Sequence, residues 1–162
     1  MKKLFRVMLS VYSVLLFSVY LKLLPNPSDF FITRDIILRR REVGFWQFNL
    51  IPFASFFSIG ENLPTNLWLI IGHIGLAAVW GVLLALSLKK LSVKKCALYS
   101  LIFFVSVEAI QFVTAAGAFD IDTIIQHFIG AIAGSALVLM ILSKKNQAEP
   151  KQNTDLIGGT QL

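Results

Sequence analysis

The sequence predicts an all-α membrane protein, a four-helix transmembrane bundle with an aromatic interfacial loop on its outer face. Three observations carry that expectation. Hydrophobic residues make up 56% of the 162 residues and mean hydropathy is +0.73, above what a soluble domain carries. Four segments are apolar over about the 20 residues that a helix needs to cross a bilayer. Lysines gather at the ends of those segments, where they set orientation.

The first segment runs over residues 4–24, with Arg6 and Lys22 snorkelling to the two interfaces. Its start, Lys2-Lys3 and an apolar run, resembles a signal peptide, but no small-x-small cleavage site follows, so an uncleaved helix is expected. Pro25 and Pro27 end it. The second span covers 67–88 and stops at Lys89-Lys90; the third covers 96–113, after Lys94-Lys95; the fourth covers 123–142 and stops before Lys144-Lys145. Residues 1–143 thus form one transmembrane domain. Residues 144–162 are polar, with too little apolar content to fold, and read as a disordered cytoplasmic tail.

One set of flanks holds Lys2, Lys3, Arg6, Lys89, Lys90, Lys94, Lys95, Lys144, Lys145 and Lys151. The other holds Arg34, Arg39, Arg40 and Arg41, balanced by Asp29, Asp35, Glu42 and Glu61. Both termini are therefore expected in the cytoplasm, and the Pro25–Asn66 loop and Ala115–Asp122 turn outside. Phe45, Trp46, Phe48, Phe53, Phe56 and Phe57 crowd the outer loop. Aromatics favour the membrane–water interface, so this loop should lie over the helix ends or dip among them.

Composition also excludes. The single cysteine, Cys96, rules out an internal disulfide framework and reads as a small buried hydrophobe. The net charge of +6 sits at helix ends, with no basic run suited to nucleic acid. No metal-ligand motif, phosphate loop or cofactor motif is present, so neither metal nor cofactor is expected.

Polar side chains in apolar helices carry the functional signal, because a charged group at membrane depth is costly unless paired or used. Glu108 and Gln111 share a face of the third helix at i, i+3. On the second, Asn66, His73, Trp80 and Ser87 recur every seven residues. On the fourth, Asp120, Thr123, His127, Gly130 and Gly134 form one stripe, whose lower half is a GxxxG pattern for close helix approach. At 1.5 Å rise per residue, His73, Glu108 and His127 lie about 6–9 Å inside the outer ends of their helices. Glu108, Gln111, His73, Asp120 and His127 should therefore converge, with Asp122 and Gln126 beside them. Plainer roles compete: Asp120 as an N-cap, His and Gln residues as interhelical glue, the arginines as contacts to lipid phosphates. The sharper role for Arg39–Arg41 is that one of them pairs with Glu108 or holds an anionic ligand.

Asn49-Leu-Ile-Pro52-Phe53, Glu108-Ala-Ile-Gln111 and the run from Phe119 through Asp120, Asp122 and His127 to Gly130 and Gly134 together resemble the VanZ-like family of small multi-pass bacterial membrane proteins. That family takes its name from a member linked to teicoplanin resistance. The resemblance covers most of residues 49–142. Departures fall at His73 and His127, where the family usually has Asn, at Val79 in place of Pro, and at Thr123 in place of a third acidic residue. Both unusual histidines lie on facing helices, which raises the expectation that they touch.

The resemblance implies a protein of the bacterial cytoplasmic membrane that lowers glycopeptide susceptibility by binding or altering an outer-leaflet, lipid-linked component. Its partners would be membrane lipids, a lipid-linked cell-wall precursor or the antibiotic itself, with Glu108, Gln111, Asp120, Asp122, His127, His73, Asn49 and Arg41 as ligand-binding candidates. Two alternatives stay open. One is a membrane-embedded enzyme acting on a lipid head group, with Glu108 or Asp120 and His127 as acid and base. The other is a structural membrane subunit. An enzyme calls for Glu108 and His127 in hydrogen-bond reach in an open cleft. A binding protein calls for a groove lined by the aromatics and Arg39–Arg41.

Overall fold

The computed structural model describes residues 2–54, 63–88 and 92–148. Its helices are α1 (Lys2–Tyr20), α2 (Ser28–Glu42), α3 (Leu63–Ser87), α4 (Val93–Val113) and α5 (Ile121–Ala148), with two-residue strands β1 (Phe48–Asn49) and β2 (Phe119–Asp120). Four helices are long and apolar enough to cross a membrane: Lys2–Tyr20, Leu67–Ser87, Val93–Val113 and Ile121–Lys144. The protein is an all-α membrane protein built on these four.

Apolar side chains both fill the centre of the bundle and coat its outside. Leu16, Ala77, Trp80, Leu84, Phe104, Val107, Ala131 and Val138 form the core, while Leu4, Val7, Val11, Leu98, Ile102, Leu137 and Ile141 are exposed. In water such a surface would drive aggregation; in a bilayer it is the solvated one.

The most extensive helix pair is α3 with α5, and glycine makes it possible. A Cβ on Gly134 would sit 2.0 Å from the carbonyl oxygen of Ala78, and one on Gly130 would sit 2.2 Å from that of Ile74. The GxxxG pair of α5 thus lies directly on the backbone of α3, the approach such motifs permit. Ser135 Oγ donates to the Gly81 carbonyl at 3.1 Å and joins the same seam. Helix α1 packs on the other side of α3, where Trp80 Nε1 donates to Ser13 Oγ at 2.9 Å and the Tyr12 hydroxyl to the Leu76 carbonyl at 2.9 Å. Helix α4 completes the bundle against α5.

Helix α1 ends at Tyr20, four residues short of the expected Leu24. Lys22 adopts φ 58°, with its N–H on the Val19 carbonyl at 2.9 Å and the Leu23 N–H on the Ser18 carbonyl at 2.8 Å. This is a Schellman cap with lysine in the left-handed position that usually takes glycine. Helix α4 ends the same way at Ala115, φ 56°, with N–H bonds from Ala115 to Phe112 and from Ala116 to Gln111. Leu23 and Leu24 continue the apolar run past the first cap, so apolar content alone overruns it, whereas α4 ends at Val113, where the third span was expected to end. Helix α5 departs in the other direction: it continues through Lys144 to Ala148, so residues 144–148 are helical and not part of a disordered tail. The rest of that tail, the Lys89-Lys90 turn, Glu61, and Phe56-Phe57 lie outside the described residues, as does the side chain of Asn66.

Helix α2 was not expected from the sequence. It has no continuous apolar stripe; it buries Ile37 and carries most of its charges near its two ends. Asp29 occupies the first turn and Arg39, Arg40 and Arg41 the last, each sign facing the helix pole that attracts it. Arg39 and Asp35 pair at 2.9 Å, i to i+4. The helix lies across one end of the bundle. Near its start Thr33 Oγ1 accepts from Lys22 Nζ at 3.4 Å, and at its other end Arg41 Nη2 donates to the Phe112 carbonyl at the end of α4. The chain then returns as β1, parallel to β2, with Phe48 opposite Phe119 and Asn49 opposite Asp120. The aromatic loop is therefore stitched to the α4–α5 turn.

Candidate functional site

The candidate polar residues of the spanning helices gather at the loop end, but in two groups. The first group is acidic. Asp120 is the last residue of β2 rather than a turn of α5, and it caps that helix: its Oδ1 accepts the Asp122 N–H at 2.9 Å. The same oxygen accepts Asn49 Nδ2 at 2.9 Å. Asp122, 1% exposed, accepts the Phe53 N–H through Oδ1. Glu108, also buried, accepts the Asp120 N–H at 3.3 Å. Three carboxylates and one amide thus clamp the aromatic loop and the α4–α5 turn to the bundle, mostly through backbone N–H groups.

The second group is aromatic and amide. His127 is fully buried. Its Nε2 lies 2.6 Å from the Tyr20 hydroxyl, its ring stacks on Phe104 at 4.6 Å between centroids, and the His73 ring lies 5.0 Å away. The two histidines that distinguish this sequence are therefore neighbours. His73 Nδ1 and Gln126 Oε1 are 3.0 Å apart. Gln111 reaches across to α1, where Nε2 donates to the Tyr20 carbonyl at 2.6 Å. Its Oε1 is buried with no hydrogen-bond partner.

Glu108 and His127 share no hydrogen bond among the described residues. One is occupied by Asp120 and the other by Tyr20. Both are sealed from the surface, so the open acid–base cleft that an enzyme of this kind would need is not formed by this pair. Neither does any arginine pair with Glu108; the ion pair seen among the described residues is Arg39 with Asp35. No group of three or more His, Cys, Asp and Glu among the described residues is arranged to hold a metal ion.

Arg41 belongs to neither group. It is half-buried, with its guanidinium carbon 4.5 Å from the Phe112 ring centroid and 5.2 Å from that of Trp46. Its Nε is buried without a hydrogen-bond partner. Next to it a groove of about 450 Å³ is lined by Arg40, Phe45, Trp46 and Gln47. A second opening, of about 400 Å³, lies between α1 and α3 and includes Tyr20, Lys22, Trp68, His73 and Gln111.

Sequence reasoning missed Tyr20 and Phe104. A phenol in an apolar helix must bond its hydroxyl when buried, so Tyr20 carried a signal that was readable. Phe104 carried none, since it is one of many apolar residues on α4.

A family model described as VanZ/LLP1 matches residues 9–142. No curated protein and no solved structure matches.

Proposed function

Because the chain belongs to the VanZ/LLP1 family, we propose that it is a multi-pass protein of the bacterial cytoplasmic membrane that lowers susceptibility to teicoplanin-type glycopeptides by binding an anionic, lipid-linked component of the outer leaflet. In this reading both termini are cytoplasmic and the α2 end faces outward, as the lysine-rich flanks favour. The observation that carries it is Arg41. A guanidinium held between Trp46 and Phe112, with a buried N–H unused, is a costly arrangement unless an anion completes it. Arginine is suited to that task, since its planar fork matches phosphate and carboxylate oxygens. The adjoining groove supplies Arg40 for a second anionic oxygen and Phe45 and Trp46 for apolar or sugar contact.

Binding is favoured over catalysis because Glu108 and His127 are both buried and each is hydrogen-bonded to another group. The test is a susceptibility measurement in cells that express the wild type, Arg41→Gln or Arg41→Lys at equal membrane levels. Wild type should raise the inhibitory concentration of teicoplanin. Arg41→Gln should abolish the gain, and Arg41→Lys should restore only part of it, because an ammonium cannot make the bidentate contact. A wild type that protects against no envelope-directed agent refutes the proposal.

A further inference from the structure

The opening between α1 and α3 is built differently from the arginine groove and shares no lining residue with it. Its walls are Val19, Trp68, Leu69 and Leu76, all exposed apolar residues of spanning helices, so it opens sideways into the bilayer. Its floor is polar. Gln111 Nε2 is committed to the Tyr20 carbonyl, which fixes the amide orientation and leaves Oε1 as an acceptor with no partner. The partner of His73 Nδ1 is the carbonyl oxygen of the Gln126 amide, so Nδ1 donates in that pair and Nε2 is left to pair with a ligand hydroxyl. Nε2 has no hydrogen bond among the described residues. The rim carries Lys22, an exposed cation.

Two unpaired polar atoms beneath a cation define a ligand class. Gln111 Oε1 needs a donor, and an unmet buried acceptor costs free energy that a donor recovers; a hydroxyl meets that need and can also pair with His73 Nε2. The cation needs an anion. The apolar walls need acyl chains. We propose that this pocket binds a phospholipid whose anionic head group carries free hydroxyls: phosphate at Lys22, hydroxyls at Gln111 Oε1 and His73 Nε2, acyl chains along the α1–α3 seam. The left-handed cap at Lys22 serves the site, since it turns the chain at the end of α1 and leaves this lysine at the pocket rim. The assignment is independent of the resistance phenotype and of the leaflet in which the loop end lies.

Phosphatidylglycerol and phosphatidylethanol make the decisive pair of probes, because they carry the same charge and differ in head-group hydroxyls. Lipid retention by the purified full-length protein, read by native mass spectrometry from mixed micelles, measures the preference. Wild type should favour phosphatidylglycerol about threefold to tenfold, the return of one or two hydrogen bonds. Gln111→Leu and His73→Phe should each bring the ratio towards one. Lys22→Gln, on the surface and outside the core, should weaken both lipids alike and leave the ratio intact. Soluble glycerol 3-phosphate should compete poorly. Parity in the wild type overturns the proposal, as does an undiminished ratio in both His73→Phe and Gln111→Leu. Displacement of the lipid by equimolar glycerol 3-phosphate overturns the assignment to a lipid. Should Gln111→Leu fail to fold, His73→Phe and Lys22→Gln decide the matter between them.

Discussion

The two sides of the loop end use polar groups in opposite ways. On the side of α4, β2 and β1, carboxylates of Glu108, Asp120 and Asp122 turn inward onto backbone N–H groups and the Asn49 amide. On the side of α1 and α3, Gln111 and His73 each spend one polar atom on the fold and keep another in hand. Costly residues at membrane depth need an explanation, but the explanation differs. The acidic residues hold a loop, whereas Gln111 and His73 have capacity left for a ligand. Charge alone is a poor guide to which residues bind, and spare hydrogen-bonding valence is a better one.

The sharpest way to break this comparison is to cut the clamp. Asp122→Ala removes the carboxylate that receives the Phe53 N–H. Hydrogen bonds to charged groups contribute about 1.5–3 kcal/mol, so thermal unfolding in detergent should show a loss near the upper part of that range. Lipid preference at the α1–α3 pocket should survive in the fraction that folds. If Asp122→Ala unfolds at the wild-type temperature, the acidic group is not a clamp and its residues return to the list of ligand candidates.

A smaller effect is expected within the aromatic group. His73 and His127 are in ring contact, and both stand where the family usually has Asn. Replacing His127 alone by Asn breaks the bond to Tyr20 and opens space beside Phe104. Replacing both should cost less than the sum of the single changes, with a coupling of about 0.5–3 kcal/mol for residues in contact. A double-mutant cycle in detergent unfolding measures this, and an additive cycle would mean that the pair is adjacent without being coupled. Tyr20→Phe is milder again. It removes one neutral hydrogen bond and keeps the ring, so about 1 kcal/mol is expected, provided the stacking of His127 on Phe104 holds the imidazole in place.

Much of this arrangement was legible in the chain, and the remainder was hidden for physical reasons. Four runs of apolar residues announced four spanning helices, and the glycines at 130 and 134 announced a close crossing without naming α3 as its partner. The end of α1 was misplaced because hydropathy is blind to a Schellman cap that uses Lys22 in place of glycine, whereas α4 ends at Val113 as expected. Helix α2 was invisible for the opposite reason: it buries Ile37 alone and gathers most of its charges near its ends, which produces no apolar periodicity. Shared helix faces and matched depth were enough to bring Glu108, Gln111, Asp120, Asp122, His73 and His127 to one end of the bundle. Their division into two groups was not legible, because it depends on which atom of each side chain the fold consumes.

Lys22 offers the finest cut between holding the fold and holding a ligand. Its backbone is in the left-handed region, which costs a non-glycine residue about 1–2 kcal/mol by itself. Its side chain makes one long hydrogen bond, to Thr33 at 3.4 Å, which repays little at an exposed site. A residue chosen for stability alone at this cap would be glycine. Lys22→Gly should therefore raise the unfolding temperature slightly, by a gain of about 0.5–1 kcal/mol once the lost chain stiffness is counted. The same substitution should weaken retention of anionic phospholipid severalfold, while Lys22→Gln weakens it equally with no gain in stability. Opposite movement of the two measurements in Lys22→Gly is the outcome expected of a residue kept for its charge. If stability falls instead, the lysine is part of the cap's own packing, and the cation at the pocket rim is there by accident of the turn.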